Sequence, residues 1–150
     1  MEPVISELTM VDYEEVLALW KSTAGIGLSG ADERCPMERF LIQNQGLRFT
    51  ARMDGRIVGT VLCGSDGRRG CPYPLAVDDQ FRHRGIGRTL VDRFPVALRK
   101  RGIQKCPLMV FANNLDGQAF WRQTGWIHRP EIVLMSKDTS DQGESGFCPC

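Results

Sequence analysis

A hairpin signal near the middle of the chain constrains the fold more than any other feature. Apolar and polar residues alternate over residues 47–53, which predicts a half-buried strand with Arg48 and Thr50 on its polar face. The pair Asp54-Gly55 then predicts a tight turn, and residues 57–63 form an almost continuous apolar run. We therefore expect two adjacent antiparallel strands within one central sheet.

Helical spacing appears on both sides of this hairpin. Tyr13, Val16 and Trp20 recur at helical intervals after Thr9, a capping-box-like start. A second helix is predicted from Pro36 to Gly46, a third after residue 85, and a short one over residues 115–124. Pro95 is expected to kink the third helix or end its first half, because proline cannot donate the helical hydrogen bond.

Further strands are predicted over residues 4–8, 70–77 and 108–111, with one or two more within 126–135. Pro72 and Pro74 weaken the prediction of a strand at 70–77, because proline cannot donate to a central ladder. The order β-α-α-β-β-β-α-β-α-β predicts an α+β or mixed α/β fold.

Composition narrows the class of protein. The chain has 150 residues, 42% of them hydrophobic, and a net charge of +1, which predicts one globular domain rather than a disordered chain. Its longest uncharged stretches, residues 22–31 and 106–115, are shorter than the roughly 18 residues of a membrane span. The first residues have no basic region followed by an apolar core, so we expect a cytoplasmic protein. The domain is expected over residues 1–137, and the polar residues 138–150 are expected to form a flexible tail.

The segment Arg82-His83-Arg84-Gly85-Ile86-Gly87-Arg88 is the most informative motif. It lies between a predicted strand and a predicted helix, where free backbone N–H groups favour an anion. The two glycines allow a phosphate to approach the backbone closely, and the arginines add positive charge. This pattern predicts a phosphate or pyrophosphate ligand.

Two other glycine motifs are excluded. A dinucleotide fingerprint needs a third small residue where Leu90 stands, and no Gly-Lys-Ser/Thr of a Walker loop occurs. The two glycines taken alone also fit an ordinary strand-to-helix turn, and this alternative remains open. The basic residues between Arg82 and Lys105 also leave a nucleic-acid or phospho-ligand binder open, although no stacking platform or base-reading helix is visible.

Two ordered motifs resemble the GNAT superfamily of acyl-CoA-dependent N-acetyltransferases. Residues 82–87 match its Arg/Gln-x-x-Gly-x-Gly/Ala signature after a strand. Asn114, Gly117, Phe120 and Trp121 stand where the family has Asn-x-x-Ala-x-x-aromatic-Tyr, and Gly125-Trp126 follow. The turn at residues 66–70 resembles the YpeA-like branch. The resemblance implies a single, mostly antiparallel twisted sheet flanked by about four helices.

The resemblance also implies a site for acetyl-CoA as co-substrate. The strand at residues 75–77 would run beside the pantetheine, backbone amides from Arg84 to Arg88 would cradle the pyrophosphate, and Asn114 would bind the pantetheine arm. The helix that carries Trp121 would flank the thioester. The expected cofactor-binding residues are Leu75, Ala76, Val77, Arg82, His83, Arg84, Gly85, Ile86, Gly87, Arg88, Asn114 and Trp121.

The candidates for the catalytic groups are Tyr73, Asp66 and Trp121. In many relatives a tyrosine protonates the departing thiolate, but Trp121 holds that position, and indole is not an acid near neutral pH. In a regular strand, Tyr73 would point to the same face as Leu75 and Val77, so it is a candidate catalytic residue. Asp66, in the preceding turn, is another candidate. His83 and His128 lie at no metal-ligand spacing from a cysteine pair, so no metal is expected.

The sequence therefore predicts an N-acetyltransferase that moves an acetyl group from acetyl-CoA to a primary amine of a small molecule or protein. Direct transfer in a ternary complex is expected, by a monomer or homodimer with no nucleic-acid or membrane partner. The alternative is an acyl-CoA-binding module of the same fold with little or no turnover.

Overall fold

The computed structural model describes residues 2–139, which fall into two compact units, residues 2–109 and residues 110–139. The first unit holds four strands and four α-helices, and the second holds one α-helix among the described residues. The strands are β1 (Val4–Glu7), β2 (Arg48–Met53), β3 (Arg56–Ser65) and β4 (Gly70–Val77). The helices are α1 (Tyr13–Ser22), α2 (Arg34–Gln43), α3 (Ile86–Val91), α4 (Arg93–Lys100) and α5 (Leu115–Gln123).

The sheet of the first unit runs β1-β2-β3-β4, with every neighbouring pair antiparallel. The predicted hairpin is confirmed: Asp54 and Gly55 have φ angles of 51° and 77°, which a two-residue turn between twisted strands requires. Strand β3 is buried along almost its whole length because helices cover both of its faces. The mixed α/β class with one mostly antiparallel sheet is confirmed.

Helices α1 and α2 pack on one face of the sheet. The indole N–H of Trp20 donates to the Thr60 hydroxyl at 2.9 Å, and both side chains are buried. Leu62, two residues along β3 on the same face, belongs to the core cluster that includes Trp20 and Leu41. This face therefore carries the main hydrophobic core of the unit.

Helices α3 and α4 cover the opposite face, and the break between them is the one expected from Pro95. A single helix was predicted there, and the structure divides it at Asp92. Pro95 lies in the first turn of α4, where a missing N–H breaks no helical hydrogen bond. Phe94 and Leu98 of α4 are buried.

Strand β2 corrects the expectation of one polar face. Arg48 and Thr50 are both buried, because the face predicted to meet solvent is covered as well. The guanidinium of Arg48 donates to the carbonyl oxygens of Leu8, at 3.0 Å, and Leu41, and it lies 3.5 Å from a Glu7 carboxylate oxygen. A buried arginine is tolerated here because backbone acceptors surround it.

The strands predicted at residues 108–111 and within 126–135 are wrong for the structure as described. No strand follows Val77 among residues 2–139, since a strand requires a hydrogen-bonded partner and these apolar segments have no ladder. The predicted tail at residues 138–150 lies almost wholly outside the described residues, so the expected domain boundary stays a prediction.

Candidate functional site

The candidate site begins on β4, the last strand in the sheet order. In the ladder with β3, Leu62 lies opposite Tyr73 and Thr60 lies opposite Ala76. One residue of β3 therefore faces two residues of β4, Pro74 and Leu75, which is a β-bulge. Both the edge position and the bulge are places where a strand accommodates proline.

The bulge corrects the parity expected for Tyr73. Side chains directly opposite each other in an antiparallel ladder point to the same face, so Tyr73 shares its face with Leu62 and Ala76. The extra residue moves Leu75 and Val77 out of phase with Tyr73. The sequence argument that aligned Tyr73 with these two residues is therefore wrong, because it assumed an uninterrupted two-residue period.

The outer edge of β4 is almost unpaired. Over the described residues it makes one backbone hydrogen bond, from the Gly70 N–H to the Lys105 carbonyl at 3.1 Å. Beyond Gly70, the outer edge makes no other backbone hydrogen bond in the described part of the chain, and the Val77 carbonyl accepts from the Arg82 side chain at 3.3 Å. The edge through Leu75 to Val77 is therefore largely open to another extended chain. A pantetheine arm, which carries amide groups along its length, has the chemistry to pair with such an edge.

A short turn leads directly from this edge to the glycine motif. The Asp78 side chain accepts from the Gln80 N–H at 2.9 Å and caps a 3-10 turn over Asp79–Phe81. His83 and Gly85 then take left-handed backbone conformations, with φ of 60° and 79°. The second of these is where the absence of a Cβ matters, since Gly85 immediately precedes α3.

Solvent reaches one side of the turn, and the sheet fixes the other. Arg82, His83, Arg84 and Gly85 are exposed, whereas Ile86 is buried. A Cβ placed on Gly59 of β3 would lie 3.0 Å from both Ile86 Cγ2 and Leu90 Cδ1. Gly59 thus allows α3 to lie close against the sheet. Sequence reasoning missed this residue, although a glycine inside an apolar strand is a known signal of close packing.

The charges around the turn separate into paired and unpaired groups. Asp78 pairs with Arg56, and Asp79 pairs with Arg82 at 3.0 Å. The guanidinium of Arg84 stacks over the Phe81 ring, 5.1 Å from its centroid. Within the described range, Arg84 forms no ion pair. The turn therefore presents positive charge beside exposed backbone N–H groups, as an anionic ligand requires.

Comparison with known proteins decides the family. The model described as the acetyltransferase (GNAT) family matches residues 13–126. An acetyltransferase of Photorhabdus laumondii is 38% identical over 103 residues, which cover 69% of this chain and 71% of that protein. The chain belongs to the acetyltransferase (GNAT) family. It is an acyl-CoA-dependent N-acetyltransferase, with acetyl-CoA as co-substrate.

Solved acetyltransferase structures share the fold. The PaiA N-acetyltransferase of Thermoplasma acidophilum, in complex with coenzyme A, aligns with a TM-score of 0.73 at 22% identity over 83% of this chain and 89% of that one. The glucosamine-6-phosphate N-acetyltransferase of Arabidopsis thaliana aligns with a TM-score of 0.72 at 17% identity over 93% and 100% of the two chains. The assignment to the YpeA-like branch stays a prediction.

Tyr73, the first catalytic candidate, sits in a half-buried environment. Its side chain remains 44% exposed, and its ring contacts Phe40 of α2 edge-on, with 6.2 Å between centroids. Burial, followed by a hydrogen bond with Cys71, raises the pKa of Tyr73 to about 12. The phenol is therefore protonated at neutral pH, and it is a weaker acid than an ordinary thiol, whose pKa is about 8.5.

Asp66, the second catalytic candidate, forms hydrogen bonds within its own turn. One carboxylate oxygen accepts from the backbone N–H groups of Arg68 at 2.8 Å and Arg69 at 3.0 Å. These two bonds lower the pKa of the exposed Asp66 carboxyl below its usual value. A carboxylate stabilised in this way is a poor proton acceptor, and the contacts explain why the turn contains aspartate.

Asn114 and Trp121 lie in the second unit. The Asn114 side-chain oxygen accepts from the Gly117 N–H at 2.9 Å and caps α5. Trp121 is half-buried between aromatic neighbours, with its ring centroid 5.3 Å from Phe120 and 5.1 Å from Trp126. Asn114 therefore has a structural role as the N-cap of α5. The roles of Asn114 and Trp121 in cofactor binding stay predictions.

Two further observations apply to residues 2–139 as a set. No helix there is both long and apolar enough to cross a membrane. That part of the chain also contains no cluster of three or more His, Cys, Asp or Glu side chains suited to a metal ion.

Proposed function

We propose that this enzyme transfers the acetyl group of acetyl-CoA directly to a primary amine of a small molecule or protein within a ternary complex. One observation supports the location of the donor site above all others. The largely unpaired outer edge of β4 continues, through a single 3-10 turn, into the exposed basic glycine turn. An amide-containing arm and a pyrophosphate, joined in one molecule, match that succession of surfaces.

In this proposal, each part of the donor meets a different backbone feature. Leu75, Ala76 and Val77 pair with the pantetheine amides at the open edge, at the end of the bulge and just after it. The backbone N–H groups from Arg84 to Arg88 surround the pyrophosphate, with His83, Gly85, Ile86 and Gly87 shaping the turn. Asn114 and Trp121 are assigned to the pantetheine and thioester end from their place in the second motif.

The chemical step in this proposal depends on positioning rather than on a side-chain acid. Tyr73 holds its proton too tightly to protonate a thiolate efficiently, and the Asp66 carboxylate is stabilised by its turn. Trp121 has no acidic proton near neutral pH. A thiolate is itself a stable leaving group, and holding the neutral amine against the thioester supplies much of the rate. As the C–N bond forms and the C–S bond breaks, the nitrogen releases one proton to water, and the thiolate leaves as the anion or takes a proton from water.

The proposal extends to the partners and location of the protein. It describes a monomeric or homodimeric enzyme of the cytoplasm that acts without nucleic acid or membrane. The near-balance of 19 basic and 18 acidic residues supports this part, because a dedicated nucleic-acid binder carries a large positive excess.

Release of free CoA thiol across a panel of primary amines tests the proposal. The panel includes small amines, aminosugars and peptides with free N-termini or lysines. We expect at least one amine to raise thiol release above hydrolysis, with a matching acetylated product in the mass spectrum. If the protein binds acetyl-CoA and no amine raises release, the acyl-CoA-binding module is the correct function instead.

A further inference from the structure

We propose that Arg82 is a positioning residue for the phosphate-binding turn and does not itself contact the phosphates, whereas Arg84 and Arg88 supply the charge that the donor meets. The inference rests on the proposed donor site. It assigns different roles to three arginines that look equivalent in the sequence. Arg82 is the one that matches the first position of the family motif.

The side chain of Arg82 contacts the end of β4 and the 3-10 turn that follows it. Its Nε–H donates to the carbonyl of Val77, the last residue of β4, at 3.3 Å. Its terminal nitrogen Nη2 lies 3.0 Å from a carboxylate oxygen of Asp79 in the 3-10 turn. One guanidinium thus joins the end of the open edge, the 3-10 turn and the start of the glycine turn.

The same contacts remove Arg82 as a source of free positive charge. Its pairing with Asp79 leaves no net charge on the pair, much as Arg56 neutralises Asp78. Arg84 and Arg88 are exposed and, in the part of the chain that the structure describes, have no acidic partner. The Phe81 ring holds the Arg84 guanidinium in place without neutralising it.

The two roles predict opposite effects of removing Asp79. If Arg82 contacted phosphate, Asp79→Asn would release the guanidinium and remove a nearby negative charge, so acetyl-CoA would bind more tightly. If Arg82 positions the turn through Asp79, the same variant weakens binding, by roughly three- to tenfold. The sign of the change therefore separates the two roles.

The experiment measures acetyl-CoA dissociation constants by calorimetry at several salt concentrations. Asp79→Asn and the charge-neutral double variant Arg82→Gln/Asp79→Asn are compared with Arg84→Gln. We expect both Asp79 variants to bind more weakly, the double variant to keep the salt dependence of wild type, and Arg84→Gln to reduce that dependence. Denaturant midpoints close to wild type show that each variant is folded.

Tighter or unchanged binding in Asp79→Asn overturns the positioning role. So does a double variant whose salt dependence falls as far as that of Arg84→Gln. Failure of the proposed donor site has a different signature: wild type fails to bind acetyl-CoA, or Gly87→Asp binds it as well as wild type. Loss of binding in Gly87→Asp with unchanged binding in Asp79→Asn overturns the inference alone.

Discussion

Gly59 and Ile86 approach so closely that a Cβ on the glycine would lie 3.0 Å from the isoleucine Cγ2. Gly59 is on the central strand, and Ile86 is the first residue of α3, directly after the left-handed Gly85. The contact ties the glycine turn, where we propose that the pyrophosphate binds, to the sheet that carries the open edge. Gly59 is also paired with Val77 of β4 in the ladder, so the relative placement of the turn and the open edge depends on this one glycine.

Gly59→Ala is expected to destabilise the protein and weaken donor binding together. The added methyl group overpacks the contact with Ile86 and Leu90, which costs about 1–3 kcal/mol, and moves α3 away from β3. Denaturant unfolding and acetyl-CoA calorimetry measure the two effects. Gly30→Ala is the matched control, because a Cβ there meets nothing within 4 Å. Equal stability of the two variants would contradict the tight packing.

Substitutions at Gly85 test the effect of backbone strain without a steric clash. Its φ is +79°, and a Cβ added there meets nothing within 4 Å, so Gly85→Ala introduces strain without a clash. We expect a cost of about 1–2 kcal/mol, divided between stability and acetyl-CoA affinity. Gly85→Asn is expected to bind more tightly than Gly85→Ala, because asparagine tolerates the left-handed region better. Calorimetry on the two variants measures the order of their acetyl-CoA affinities. Tighter binding by Gly85→Ala than by Gly85→Asn would show that side-chain size at this position matters more than backbone conformation.

Tyr73→Phe is expected to keep most of the activity at neutral pH. The Tyr73 pKa is raised from 10.0 to about 12, so the folded state holds a proton that the unfolded state has lost between these values. The corresponding stability is fully present below pH 10 and is lost as the pH rises toward 12. Unfolding of wild type should therefore depend more steeply on pH in this window than unfolding of Tyr73→Phe.

Activity and titration together check the role of this tyrosine. Thiol release with an active amine gives the kinetic comparison, and phenolate absorbance follows the titration. Tyr13→Phe is the control, since Tyr13 is the other tyrosine and its hydroxyl donates to the Asp32 carbonyl at 2.8 Å. A large drop in kcat specific to Tyr73→Phe would establish Tyr73 as a catalytic acid and refute the positioning mechanism.

The features that were predictable from the sequence depend on local rules. The Asp54-Gly55 turn, the break near Pro95 and the glycine turn each follow from backbone conformations that few residues adopt. The position of the glycine turn between a strand and a helix was predictable for the same reason, whereas its binding of a phosphate stays a prediction.

The features that were missed depend on tertiary contacts. The bulge at Pro74 and Leu75 appears only in the register with β3, and it reverses the face expected for Tyr73. Arg48 looked solvent-facing because its alternation was clear, but two carbonyl groups of distant segments satisfy it in the interior. The apolar run at residues 108–111 resembled a strand, yet a strand also needs a hydrogen-bonded partner.

Calorimetric titration of acetyl-CoA into wild type, Gly87→Asp and the control Gly30→Asp tests the central claim most directly. The first substitution adds bulk and negative charge where the pyrophosphate is proposed to bind, and the second makes the same change where a Cβ meets open space. We predict saturable binding by wild type and Gly30→Asp, and a loss of at least about tenfold in affinity in Gly87→Asp. Equal affinity in all three proteins would contradict the assignment of the donor site to this turn.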